Sequence, residues 1–196
     1  MASKLEIVNL ALAHAGEDPI SALDEESPQA DFIDRVYRSE LDNALATYPW
    51  RFAKRLAELN RLADLSIRND TPQYQLPADW CRIISLEING TSVTDFDQIG
   101  DVLLVPWAGT DSTVVLEYVT KDVSEGKMPG HFVTVFSLLL GARCAQGLGR
   151  DLDQALSLRK EVESIQKPQA RTTDAQQGKT RTLRRSRIHS VRRGAR

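Results

Sequence analysis

The sequence predicts an α+β protein, mainly α: a four-helix core, with two N-terminal and two C-terminal helices, around a β-rich antiparallel insertion, followed by a flexible basic tail. Three observations carry this. Apolar residues recur at helical spacing over the first 48 residues and again beyond residue 130. β-branched runs punctuated by turn residues fill the middle. Residues 167–196 hold ten Lys or Arg, one acid and no aromatic residue.

The first helix opens on "SKLE", with Ser3 as N-cap and Glu6 three residues on, a reciprocal capping box. Leu5, Val8, Leu12 and Ala15 share a face with Ala11 beside them, and Gly16 supplies the stop. Ser27 caps a second helix with Pro28 at its first position, striped by Ile33, Val36, Tyr37, Leu41, Ala44 and Tyr48 and ended by Pro49. Residues 51–65 read either way: Phe52, Leu56, Leu59 and Ala63 fit a helical period, yet the stretch adjoins a β-rich region. "RIISLEI" followed by Asn89-Gly90 predicts a strand and hairpin, and "VLLVPW" and "TVVLEYVT" predict strands about the turn "AGTDS". After "SEGKMPG", the residues Phe132, Val135, Phe136, Leu139, Leu140 and Cys144 predict a buried central helix. Asp151 caps a last surface helix running to about Gln166, with Leu152, Leu156, Arg159, Val162 and Glu163 on neighbouring turns and Pro168 beyond it. The expected organisation is a bundle from 1–49 and 126–166, an insertion at 50–125, and a tail at 167–196.

Reactive motifs are sparse. His14, His131 and His189 have no partners at ligand spacing, so no metal or cofactor is expected. "GKT" at 178–180 lacks the earlier glycine and the preceding strand of a phosphate loop, and "GLGR" follows a helix rather than a strand. "NGT" at 89–91 is explained by a hairpin turn. "DEE" at 24–26 and the Asp95/Asp97 pair read as solvated acidic faces. With no nucleophile turn either, the expectation is a protein that is not an enzyme. Cys81 and Cys144 sit in apolar stretches that suit a reducing cytosol. No secretory leader is read at the N-terminus, and no apolar run approaches the roughly 20 residues of a membrane span.

Charge is the strongest chemical signal. The formal net charge of −2 conceals +9 in residues 167–196 and −11 in residues 1–166. With Leu183, Ile188 and Val191 as its only large aliphatic residues, the tail cannot bury enough apolar area to order itself alone. It fits three roles: sequence-blind contact with nucleic-acid phosphates, docking onto an acidic protein, or a solvated segment with no task.

"VNLALAHAGEDPISALDEES" with a long helix, then "YPWRFA", then "YQLPADWCRI", and later "KMPGHFVTVFSLLLGARCAQGLG", resemble in order and spacing the head–tail adaptors of short-tailed phages, the tail tubular protein A family. The resemblance covers about residues 5–165, and Trp50, Phe52, Pro77, Asp79 and Trp80 within it read as fold-making residues at a helix-to-sheet junction. It implies a non-enzymatic virion protein at the head–tail junction, made in the host cytoplasm. Its partners would be the portal protein, the tail nozzle protein and itself. It would be a monomer before assembly and a dodecameric ring in the virion, extending the channel through which DNA passes, with no membrane involved. The C-terminal segment would dock on the portal, which assigns contacts to Leu183, Arg184, Arg185, Arg187, Ile188, Val191, Arg192, Arg193 and Arg196. Acids of the body facing the channel would repel DNA phosphate. The alternative is a sequence-independent nucleic-acid-binding protein using the same tail.

Overall fold

The computed structural model describes residues 2–65 and 70–178. Helix α1 (Lys4–Ala15) starts at the expected capping box: the Ser3 hydroxyl accepts the Glu6 N–H at 3.2 Å, and the Glu6 carboxylate accepts the Ser3 N–H at 2.6 Å. The Ser3 backbone N–H and, beside it, the Ser3 hydroxyl hold the Glu6 carboxyl below the usual range. Gly16 ends the helix in the left-handed region at φ 74°, where a side chain would be strained. Helix α2 (Pro28–Ala46) starts where Ser27 accepts the Ala30 N–H at 3.2 Å.

The ambiguous stretch 51–65 is strand. A single 3-10 turn (Arg51–Ala53) leads into β1 (Lys54–Glu58), and β2 (Arg61–Leu65) follows. Leu56, central to the helical reading, is 74% exposed on β1. What decides its conformation is pairing with a segment some sixty residues away, which no local pattern encodes. Then come β3 (Pro72–Gln75), β4 (Trp80–Ile88), β5 (Thr91–Val93), β6 (Asp97–Ile99), β7 (Val102–Leu104) and β8 (Val114–Thr120). Asn89 and Gly90, both at positive φ (49° and 77°), close the β4–β5 hairpin as the sequence predicts. All pairings are antiparallel. One sheet has the order β1-β8-β4-β5 and the other β2-β3-β7-β6.

The first sheet is covered on both faces. Leu116 and Tyr118 of β8 and Leu86 of β4 pack against Leu59 and against Tyr74 and Leu103 of the second sheet. Val119 alternates with them to the other face, and register irregularities in β4 at Trp80–Arg82 and Ile83–Ser85 let Cys81 and Ile84 join the helical core too. That core centres on α3 (Gly130–Gly147), which buries residues nearly all round. Its Gly141 lies where a Cβ would stand 2.9 Å from both the Ala11 carbonyl oxygen and the His14 Cβ, so the residue must be glycine for α1 to approach this closely. Burial pushes the Cys144 thiol up to about 12 and raises that of Cys81, so neither is a ready nucleophile at neutral pH.

The C-terminal boundary differs from the sequence reading. Asp151 does cap the last helix, accepting the Gln154 N–H at 2.9 Å. The helix continues past Gln166, however, as α4 (Leu152–Glu161), a π turn (Val162–Gln166) and α5 (Lys167–Gln176). Pro168 therefore does not end it. The π turn, in which the Lys167 N–H donates to the Val162 carbonyl, widens the backbone just where the proline ring would press on the preceding turn. Residues 167–176 were expected in the tail, but Lys167, Ala170 and Asp174 are buried at helical spacing. On α4 the buried residue is Ala155, with Val162 buried at the start of the π turn, while Leu152 and Leu156 face outward.

Candidate functional site

The nine residues assigned from sequence to partner contact, Leu183 to Arg196, lie outside the described residues. The structure instead defines the root from which they extend. "YPWRFA" forms its floor. The Trp50 indole is fully buried and donates its N–H to the Ala44 carbonyl at 3.0 Å, which ties the end of α2 to the first sheet. Its ring meets Tyr48 and Phe132 edge-on at 4.9 and 5.1 Å. The next residue, Arg51, donates its backbone N–H to both Asp174 oxygens, at 3.2 and 3.3 Å. Asp174 is only 1% exposed. Its other neighbour is His131 at the start of α3, with Nε2 3.7 Å from Oδ1. On the same face of α5 the Arg171 guanidinium lies over the Tyr48 ring, 5.5 Å from its centroid. Gly178, the last described residue, sits against the Arg51 guanidinium.

A groove of about 1030 Å³ runs between α5 and the first sheet, lined among others by Tyr48, Arg51, Lys54, Glu117, Arg171 and Asp174. In its floor Lys54 Nζ pairs with Glu117 at 3.1 Å, and the Ser85 hydroxyl donates to the same carboxylate at 3.1 Å. The lining carries both signs of charge. Asp174 spends its acceptors on Arg51 and faces an imidazole, so it acts as a structural anion holding α5. Among the described residues no group of three His, Cys, Asp or Glu could hold a metal ion, and no helix is long and apolar enough to cross a membrane.

"LPADW" forms the turn before β4, where the Trp80 N–H donates to the Pro77 carbonyl at 3.1 Å. Asp79 accepts from the Thr120 hydroxyl at 2.6 Å, the Tyr118 hydroxyl at 3.1 Å and Arg55 Nη1 at 2.9 Å, while its carbonyl accepts the Lys121 N–H at 2.7 Å. Partial burial acts to raise its pKa. The hydrogen bonds from Thr120 and Tyr118 and the charge of Arg55 outweigh that and leave the carboxyl below its usual range. Asp79 thus clamps the turn before β4 to the ends of β1 and β8.

Sequence reasoning missed Asp174 and His131. The usable signal was the spacing of Lys167, Ala170 and Asp174, one helical face, together with the oddity of a single acid in a basic segment. No protein-family model and no curated protein matches this chain.

Proposed function

We propose that the protein is a structural head–tail adaptor of a short-tailed phage, ring-forming and non-enzymatic, whose C-terminal segment docks on a portal. One observation carries the reading. Two of the separate stretches in which the resemblance lies pack together, Trp50 and Arg51 of "YPWRFA" meeting Phe132 directly and His131 of "MPGHFV" through Asp174, while Asp79 of "LPADW" ties to β1 through Arg55. Packing between stretches far apart in the chain supports reading their shared order as meaningful.

The same packing also gives the reading a mechanism. A rigid body presents an arm whose root is fixed by Asp174 and whose remaining residues carry eight Lys or Arg and no acid. Single exposed ion pairs contribute about 0–1 kcal/mol. Twelve arms engaging one ring act together, so weak contacts give a durable seat. Arginine suits this task because its planar fork holds carboxylates with two bonds.

The test is association with portal rings by the full chain and by a chain ending at Gly178, followed by sedimentation. The adaptor reading expects the full chain to co-sediment and the shortened one to dissociate. The alternative, sequence-independent nucleic-acid binding, draws on the same eight charges. It predicts duplex DNA binding that weakens steeply with salt and vanishes in the shortened chain.

A further inference from the structure

We propose that the groove between α5 and the first sheet, with the open sheet face beyond it, is the docking surface for the chain's own residues 179–185. Strand register puts three rows of side chains on that face. Lys54 stands opposite Val119, Leu56 opposite Glu117, and Glu58 opposite Val115, with Glu87 on the far side of Val115. The cover that the helices give this face stops partway along it: Val119 is fully buried, Glu117 and Val115 are half-buried, and Leu56 is 74% exposed. β1 is also an edge strand of its sheet. An exposed leucine on an open strand edge is the kind of surface that receives an extended segment.

Charge selects the occupant, because it changes sign along the face. At the helix end the groove is lined by Arg51, Lys54 and Arg171, and the acids there are engaged: Asp174 accepts the Arg51 backbone N–H, and Glu117 pairs with Lys54 at 3.1 Å. In the outermost row the charged side chains are Glu58 and Glu87. Their register neighbours are uncharged, Val115 for Glu58, and Val115 and Ser92 for Glu87. Residues 179–185 are the complement of this row, with Lys179, Arg181, Arg184 and Arg185, no acid, and one large apolar residue, Leu183.

The described chain ends at this groove. α5 lines it as far as Gln176, and Gly178 rests on the guanidinium of Arg51, another lining residue. Leu56 lies five residues beyond Arg51 in sequence, and Leu183 five residues beyond Gly178. An extended segment of up to about 18 Å can therefore bring Leu183 over Leu56. Arg181, Arg184 and Arg185 then come within reach of Glu58 and Glu87, where a guanidinium can hold a carboxylate with two bonds. Tethering raises the local concentration of the segment to the millimolar range. Docked in this way, residues 179–185 are withheld from other acidic surfaces until a stronger one displaces them. The proposal concerns the free chain and stands apart from the portal reading.

Nitrogen-labelled full-length protein at low salt provides the test, read at the backbone amides of Leu56, Glu58 and Glu87. In the variant R181Q/L183S/R184Q/R185Q these amides should shift relative to wild type. The difference should shrink in 1 M NaCl, where the screening length is about 3 Å. It should shrink likewise when the four substitutions are made in an E58Q/E87Q background. The variant R192Q/R193Q/R196Q, altered beyond the docking segment, should leave the three amides in place. Identical spectra for wild type and the first variant would overturn the proposal. So would an equal shift from the second variant, which would mean diffuse attraction rather than a seated segment. A difference that grows with protein concentration would overturn it too, because the occupant would then be the arm of a second copy.

Discussion

The carboxylate of Asp174 accepts the backbone N–H of Arg51 across 123 residues of chain, at 3.2 and 3.3 Å. This contact decides where the folded body ends and the arm begins. The other anchors of α5 are the buried Ala170 and the contacts of Arg171 with Tyr48. Asp174→Ala should therefore destabilise the protein by about 2 kcal/mol, the value of a lost hydrogen bond to a charged group. Hydrogen exchange should quicken through α5 while α1 and α3 keep their protection. Unchanged α5 protection would show that the helix is held by other means.

Trp50 tests the root of the arm from its floor. Trp50→Phe keeps most of the ring but removes one of two side-chain donors to the Ala44 carbonyl, the Thr47 hydroxyl at 2.8 Å remaining. A loss of about 1–2 kcal/mol is expected. Trp50→Ala should cost about 3–5 kcal/mol, since it also leaves a cavity among Tyr48 and Phe132. Chemical denaturation separates the two, and equal effects would mean that the indole N–H contributes nothing.

Asp79 gives the clearest acid dependence. Its folded pKa lies below the ordinary aspartate value of about 3.9, so it binds a proton less readily in the folded state than in the unfolded one. The associated stability is complete above the unfolded pKa and is lost as pH falls through the folded pKa. Asp79→Asn should lower stability at pH 7 and flatten its decline below about pH 4. Parallel wild-type and variant curves through that range would contradict this assignment.

The approach of α1 to α3 rests on Gly141. Gly141→Ala would place a methyl group 2.9 Å from the Ala11 carbonyl oxygen, a backbone atom that cannot move without its helix. We expect a loss of about 1–3 kcal/mol by thermal unfolding, despite alanine's better helix propensity. A stabilised variant would show that the helices separate freely.

Local signals in the sequence were read correctly wherever the physics is local. Ser3 with Glu6, Ser27 with Pro28, Asp151, and the Asn89-Gly90 turn each satisfy backbone groups within a few residues, and each sits where expected. Long-range effects escaped. β1 is a strand because it pairs Lys54 with Val119 and Glu58 with Val115, and Leu56 kept a helical spacing that its exposure shows to be irrelevant. The segment from Lys167 to Gln176 looked too polar to fold by itself. It is helical because Ala170 and Asp174 find partners supplied by "YPWRFA" and α3. The anchor of the arm was therefore hidden in the sequence, although the basic character of the arm was plain.

The position of that anchor also sets where the chain should be cut. A cut after Gln166 would remove Ala170 and Asp174 from the core, so a failure to bind could reflect a damaged body. A cut after Gly178 leaves α5 in place. The most direct measurement is the retention of this shortened chain on portal rings, compared with the full chain at equal concentration. The adaptor account predicts that the shortened protein keeps its melting temperature and is lost from the rings while the full chain stays bound. Equal retention of the two would contradict it.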